Sequence, residues 1–409
     1  MADEKASTNR QDNASNRLDS PLAKGVTIAA AVVAILALGL WVYQLTVGLA
    51  VTNMRNLNSW GLYITNFMFL VGLSAGGLIM SSIPRVFNVE GFGGISKIAV
   101  WTSICCTVLA IGFVLVDMGN PIRVWELFVF SNFNSPLLWD VCILSTYLVL
   151  SIAYLVLMLR HEAGSVGSGT LRVVSSIALV TAILVHSVTA WVFGLQASHE
   201  FWHTALLAPW FVSSALVSGT GLVMVVIIVL RKIGYIDTEW RYVEKMAKFL
   251  GAFILVDLYF FGCDLLTSGF GQTESGLGVV SMLTSGVLAP YFWFEVVGGL
   301  LAAGICFVPK LRTQKMLACA ALLAVLGVFC KRVQLLVGGF QNPNLAYAMP
   351  QNGTSLTDIG QSISNAFPAI VYVPTPFEFA IVAGVFALGL LGLMVGLRYL
   401  PLKPTDKTE

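Results

Sequence analysis

Nine ionisable side chains interrupt the apolar runs of this sequence: Asp117, Asp140, His186, Asp257, Asp264, Glu295, Lys331, Arg332 and Glu378. By insertion scales a charge at the centre of an apolar span costs about 3 kcal/mol, so such residues mark chemistry or mutual pairing. Carboxylates and an imidazole in such surroundings are groups that take up and release protons near neutral pH. The competing use is structural, with buried charges such as Glu295 and Arg332 paired to hold a bundle together. Asp257 and Asp264 are seven residues apart, hence on one helix face. There they line a proton path or face a bundle interior.

The elements that must position these groups follow from composition. The chain has 409 residues, 57% hydrophobic and 11% charged. A soluble chain carries roughly a quarter charged residues. So few charges cannot wet the surface of a protein this size, and its solvent must be largely lipid. Ten runs are long and apolar enough to cross a bilayer: 25–47, 60–83, 98–116, 137–159, 171–194, 205–230, 247–266, 287–308, 316–339 and 377–399. Backbone groups in lipid must bond internally, so these are helices, and the expected fold is an all-α integral membrane protein. Nineteen of the 23 Lys and Arg residues fall in the two tails and the even-numbered connections. Only Arg55 and Arg123 fall on the other side. This bias predicts both termini in the cytoplasm. The expected organisation is a disordered cytoplasmic tail over 1–24, a membrane domain over 25–400 and a short tail over 401–409. The outer connections are the elaborated ones, and 340–376 has no Lys or Arg. No basic stripe interleaved with aromatics speaks for nucleic acid.

With that orientation the ionisable groups sort by depth. Asp117, Asp140, Asp264 and Glu378 lie near outer helix ends. His186, Glu295, Lys331 and Arg332 lie roughly eight residues, or about 12 Å, below. Asp257 is near the midplane. The result is a polar funnel opening outward, which suits a quinone headgroup. Such a ring needs a donor or acceptor at each oxygen and a proton route to water. His186 is placed to bind a quinone oxygen and relay its proton, and Asp140 or Asp117 to carry it outward. The inner halves offer hydroxyls for water chains (Ser151, Tyr154, Ser175, Ser176, Thr181, Thr220) but no carboxylate, so quinol protons are expected to leave on the outside. Haem b is disfavoured because it needs two histidines on facing helices, and only His186 lies in a span. The seven cysteines show no C-x-x-C spacing, which argues against an iron–sulfur cluster in this chain. His199 and His203 are four apart and read as a surface pair rather than a metal site. The small residues Gly72, Ser74, Ala75, Gly76 and Gly77 serve close helix packing or a close approach to a ligand.

Several segments carry a resemblance when taken in order. They are Trp60-Gly-Leu-Tyr-Ile-Thr-Asn-Phe67 with Gly72-Leu-Ser-Ala-Gly-Gly77, then Asp117-Met-Gly-Asn-Pro-Ile-Arg-Val-Trp125 with Ser135-Pro-Leu-Leu-Trp-Asp140. After them come His186-Ser-Val-Thr-Ala-Trp-Val-Phe-Gly194 and Trp202-His-Thr-Ala-Leu-Leu-Ala-Pro209. From Trp60 to Arg332 the chain resembles the polysulfide-reductase NrfD/PsrC-like membrane subunits, in a ten-helix subgroup. The resemblance implies two four-helix bundles, about 60–194 and 205–339, with flanking helices 25–47 and 377–399. It implies menaquinone or ubiquinone as bound substrate near the outer face and no cofactor in this subunit. It also implies a ferredoxin-like iron–sulfur partner at the outer face, and beyond it a molybdopterin oxidoreductase or a multihaem cytochrome subunit. The membrane would be the cytoplasmic membrane of a bacterium or archaeon.

Tyr63, Asn66, Asp117, Asp140 and His186 occupy motif positions and are the expected quinone-binding residues. Asp257, Asp264, Glu295 and Arg332 are the expected proton path. Two other classes compete. A secondary transporter would use the same buried charges for substrate and ions, but it favours Gly or Pro breaks at mid-membrane, whereas Pro84, Pro209 and Pro290 lie near span ends. A plain membrane anchor for a catalytic subunit would not need the charges.

Overall fold

A computed structural model describes residues 20–55, 58–86, 93–341 and 372–402. Among these the secondary structure is helical and no strand is formed. Most of the expected N-terminal tail, the C-terminal tail and the long 340–376 connection lie outside the described residues.

Among the described residues ten helices are long and apolar enough to span a membrane. In chain order they are α1 Pro21–Val47, α2 Leu62–Val86, α3 Gly93–Asp117, α4 Pro136–Glu162, α5 Ser168–Gly194, α6 Leu207–Lys232, α7 Trp240–Phe270, α8 Ala289–Phe307, α9 Gln314–Gln341 and α10 Pro376–Tyr399. The protein is thus a multi-pass membrane protein. The first helix starts at Pro21 rather than Gly25, because Ser20 Oγ accepts a hydrogen bond from Ala23 N (3.3 Å) and Pro21 pre-sets the first turn. Likewise α7 begins at Trp240, about two turns before the apolar run, since its first turns are amphipathic. A short helix, Glu274–Thr284, fills the connection to α8.

The helices are arranged around α2. Of its apolar stretch 94% is buried inside the protein, against 17% for α1 and 22% for α10. It packs on α3, α5, α6 and α9. Beyond it α3 meets α4 and α4 meets α5, while α6, α7, α8 and α9 close a second group by packing in succession and α9 back on α6. Helices α1 and α10 pair with each other, and α10 leans on α3. The outer surfaces of this pair, including Ile28, Ile35, Leu36 and Leu388, are exposed and apolar as lipid requires.

In lipid no hydrophobic force draws helices together, so contact depends on backbones approaching closely. Gly76 provides the tightest case. A Cβ there would sit 2.1 Å from Ala215 O and 2.7 Å from Gly219 Cα of α6. The Gly76–Gly219 crossing brings α2 and α6 together and sets the spacing just below the site described next.

Candidate functional site

His186 sits on α5 eight residues before its end, 1% exposed. Neither ring nitrogen has a hydrogen-bond partner. Arg332 of α9 is fully buried beside it. Its Nη2 donates to Ser214 Oγ on α6 (2.6 Å), and its guanidinium carbon lies 3.9 Å from the centre of the Phe211 ring. Its Nε and Nη1 have no partner. Opposite stands Gly72 of α2. A Cβ there would lie 3.3 Å from Ser218 Oγ, 3.5 Å from His186 Nε2 and 3.9 Å from Arg332 Nη2. Three helices therefore bring polar atoms close to the same face of α2 at Gly72. Buried donors and acceptors are almost always paired, and leaving one unpaired costs about 1–3 kcal/mol. His186 Nδ1 and Nε2 and Arg332 Nε and Nη1 make four such nitrogens on adjacent side chains.

One turn from His186 toward the end of α5, Thr189 Oγ1 donates to Asp140 Oδ1 of α4 (2.6 Å). Asp140 is buried and four residues inside its helix start. Asp140, Thr189 and His186 thus form a short stair from the helix end down to the junction.

The other expected residues lie elsewhere. Nine residues separate Tyr63 from Gly72, about two and a half turns, so they occupy opposite faces of α2. The Tyr63 hydroxyl donates to Gln44 Oε1 of α1 (2.8 Å), whose Nε2 donates to Val116 O (2.9 Å). Asp117 closes α3 in the same neighbourhood, with Oδ1 buried and unpartnered. Glu378 accepts from Asn53 N (2.8 Å) and from the Tyr372 hydroxyl, which in turn accepts from Leu62 N (2.8 Å). Burial, then the Glu378 carboxylate, raises the pKa of the Tyr372 phenol. Asn66 folds back onto its own helix, Nδ2 to Leu62 O (2.7 Å). The five expected quinone residues are therefore not gathered in one pocket. His186 and Asp140 stand on one side of α2, Tyr63 and Asp117 on another.

The expected proton-path residues are also divided. Lys331 Nζ pairs with Asp257 Oδ2 and lies 3.2 Å from Glu295 Oε1, a contact without hydrogen-bond alignment. Asp257 Oδ1 also accepts from Ser213 (2.8 Å), and Glu295 Oε2 from Gln334 Nε2 (2.8 Å). Trp210 places its ring 4.6 Å from the Lys331 ammonium. Glu295 thus pairs with Lys331, not with Arg332 as the sequence suggested, because consecutive helix residues point about 100° apart. Asp264 is buried near the end of α7, apart from the Lys331 group. Between α2, α3 and α4 a hydroxyl cluster joins Ser74 to Thr107 (2.6 Å) and Ser103 (2.9 Å), and Ser103 to Tyr147 (2.8 Å). Of the hydroxyls expected to carry water, Ser151, Ser175, Ser176 and Thr181 bond to carbonyls of their own helices.

Above the junction an aromatic box joins Trp60, Phe193, Trp202 and Phe340 by edge-to-face contacts of 5.0–6.3 Å. His199 and His203 do not converge on a common ion. His199 Nδ1 bonds Gly339 O (2.7 Å) and His203 Nδ1 bonds Gly194 O (3.2 Å). No group of three or more His, Cys, Asp or Glu side chains suited to a metal exists among the described residues. Sequence reasoning missed Ser214, Ser218, Gln44 and Tyr372. Gly72 was singled out, but only the fold separates it from the packing glycine Gly76.

Comparison with known proteins agrees with this architecture. The family described as "Polysulphide reductase, NrfD" matches residues 50–344. The chain is 33% identical to a putative dimethyl sulfoxide reductase membrane subunit of Halobacterium salinarum, covering 93% of this chain and 92% of that protein. It is 26% identical to the Hdr-like menaquinol oxidoreductase integral membrane subunit of Archaeoglobus fulgidus, covering 92% and 93%. It is 24% identical to a polysulfide reductase chain of Wolinella succinogenes, covering 68% and 94%. With ten spanning helices and a family match over most of its length, the chain belongs to the polysulphide reductase NrfD family of integral membrane subunits.

Proposed function

We propose that this protein is the quinone-reactive membrane subunit of a redox complex, and that the junction of His186, Arg332 and Gly72 holds the quinone headgroup. The single observation that carries the reading is the buried His186 ring, unpartnered at both nitrogens with Nε2 toward Gly72, beside an Arg332 whose Nε and Nη1 are also unpartnered. A quinone presents ring oxygens that accept from Arg332 and exchange a proton with His186. Gly72, lacking a side chain, keeps α2 clear of His186 Nε2, which a Cβ there would meet at 3.5 Å. Thr189 and Asp140 lead protons from His186 to the helix ends on the side away from the basic loops, which the charge bias assigns to the exterior. Tyr63, Asn66, Asp117 and Glu378 border the same end and form a second polar patch there. The Asp257–Lys331–Glu295 group, being ion-paired, is a clamp rather than part of this route. Electrons pass to or from a partner, and a ferredoxin-like iron–sulfur subunit at the outer face is the expected one, with a molybdopterin oxidoreductase or multihaem cytochrome beyond it. The names of the relatives, among them menaquinol oxidoreductase and polysulfide reductase subunits, support a quinone as substrate.

A photoreactive menaquinone analogue tests the reading. Labelling is expected on peptides carrying His186 or Arg332, competed by excess menaquinone or ubiquinone. Labelling confined to the Asp257–Glu295 region, or none, overturns it.

A further inference from the structure

On the basic side of the protein, remote from the junction, a cavity of about 210 Å³ is lined by Arg85, His161, Ser168, Leu171 and Arg172. We infer that it is a phosphate site, filled in the membrane by the headgroup of an anionic phospholipid. The inference goes beyond the quinone reading and does not rest on it.

Three helix ends build the cavity. Arg85 is the penultimate residue of α2. Its guanidinium lies 5.8 Å from the centre of the Tyr154 ring, and Nη1 donates to the Tyr154 hydroxyl (3.3 Å). That holds the group in place while leaving most of its five donors for a ligand. The turn between α4 and α5 brings the rest. Gly164, at φ 77°, ends α4 in a left-handed turn, with Ser165 N bonded to Arg160 O (2.9 Å). Inside this turn His161 Nδ1 bonds Val166 O (2.7 Å), which fixes the ring and leaves Nε2 as its second site. Ser168 then opens α5, whose cap residue Gly167 supplies no side-chain partner to the first-turn N–H groups. Arg172 follows one turn later.

Among the described residues the lining contains two guanidinium groups, an imidazole and a hydroxyl, with no carboxylate. The nearby Glu162 is engaged with Lys97 (2.8 Å). This chemistry selects a tetrahedral oxyanion, since arginine donors match phosphate oxygens in paired fashion. The position selects a lipid. The cavity lies at the ends of spanning helices, where headgroups sit, and basic pockets between such helices are suited to anionic headgroups. From its rim a stripe of exposed apolar side chains runs up α5 at Val173, Ile177, Val180 and Leu184, spaced for one helix face. A free anion has no use for that stripe, whereas acyl chains lie along it.

The test uses the full chain in detergent, stripped of lipid. Native mass spectrometry and thermal unfolding are followed with added phosphatidylglycerol, phosphatidylcholine or inorganic phosphate. The expected result is a retained phosphatidylglycerol adduct with a raised melting temperature, and neither effect with phosphatidylcholine. Arg172→Gln and Arg85→Gln each weaken retention about fivefold, from roughly 1 kcal/mol per basic residue. Arg160→Gln, on the same stretch but outside the lining, leaves it unchanged. Arg172 is exposed, so its variant folds even if loss of the Arg85–Tyr154 contact does not permit the other. Equal retention of both lipids, or retention indifferent to Arg172→Gln, overturns the site. Stabilisation by millimolar phosphate alone, without preference for the lipid, overturns the lipid assignment.

Discussion

Lys331 and Arg332 are neighbours in sequence, equally buried, and live in different chemistries. Lys331 stands between two carboxylates, under a tryptophan ring, with Gln334 completing the set. Arg332 has one hydroxyl partner, an aromatic face and two idle nitrogens, beside a histidine with two more. The first arrangement balances its charges within the protein and ties α7, α8 and α9 together, although Glu295 Oε1, Gln334 Oε1 and Trp210 Nε1 have no hydrogen-bond partner. The second leaves its guanidinium without a carboxylate partner, which is why we propose a guest there. Buried charge by itself therefore says little about function, and whether the charge is already answered within the protein says much more.

The strongest way to break the comparison is Lys331→Met. It leaves Asp257 and Glu295 buried without a cation, and removing one member of a buried pair costs about 3–5 kcal/mol. A large fall in apparent melting temperature and folded yield is expected, with recovery when Asp257→Asn and Glu295→Gln are added. Arg332→Met, by contrast, breaks no salt bridge, only the Ser214 hydrogen bond and the Phe211 contact, and should lower the melting temperature much less. If both variants unfold alike, the two regions are not different in kind.

Next in size is His186→Ala, read in the assembled complex. Losing the proton-exchanging group at the junction should lower quinone-dependent turnover about a hundredfold, the scale of removing one positioned acid–base group. The stability loss should be the modest one of a vacated packing site, because the imidazole has no hydrogen bond to lose. Turnover that survives intact moves the site away from this junction, toward Tyr63 and Asp117.

The two glycines of α2 sharpen the same contrast on a smaller scale. At Gly76 a methyl would meet the α6 backbone at 2.1 Å, so Gly76→Ala should destabilise by about 1–3 kcal/mol through overpacking. At Gly72 a methyl fits at 3.3–3.5 Å once the Ser218 hydroxyl turns. Gly72→Ala should fold normally yet bind the quinone analogue about tenfold more weakly, a loss of roughly 1.4 kcal/mol. Titration of analogue fluorescence quenching against melting temperature separates the two. A Gly72→Ala protein that binds normally removes the ring from the α2 face.

Much of this was legible in the sequence because lipid imposes harsh rules. Run length and the absence of charge gave ten spans, and the helices outran the apolar runs where polar or amphipathic turns extend them, at Pro21, Gly93 and Trp240 and at the ends Glu162 and Phe270. The inventory of costly groups was also legible, since each stands out against apolar neighbours. What could not be read was the partition. Whether Glu295 meets Lys331 or Arg332 depends on a difference of about 100° around α9, and whether Tyr63 and His186 share a pocket depends on the two faces of α2. Gln44 and Tyr372, which sit at helix ends or in connections, gave no periodic signal, and Ser214 and Ser218 read as ordinary small packing residues of α6.

His199 offers the smallest and most direct check, because it is a histidine already answered by the protein. It lies 4.2 Å from the Trp202 ring and 5.6 Å from Phe340, with Nδ1 on Gly339 O. Burial lowers its pKa, partly offset by that hydrogen bond. The neutral ring is thus favoured in the folded protein, and the unfolded chain binds the proton more readily. Stability from this contact is full above the ordinary histidine pKa of about 6.5 and declines as the pH falls below it. Trp202 is a built-in reporter, its indole bonded to Leu335 O (2.6 Å) within the same box. Acidification from about pH 7.5 to about pH 5, across the ordinary histidine range, should lower the melting temperature and shift tryptophan emission. His199→Gln should flatten both responses, because glutamine keeps a hydrogen-bonding group near Gly339 O but takes up no proton. An emission shift and a melting-temperature loss that persist undiminished in His199→Gln would assign the acid response to another group and leave the His199–Trp202 contact without a role in it.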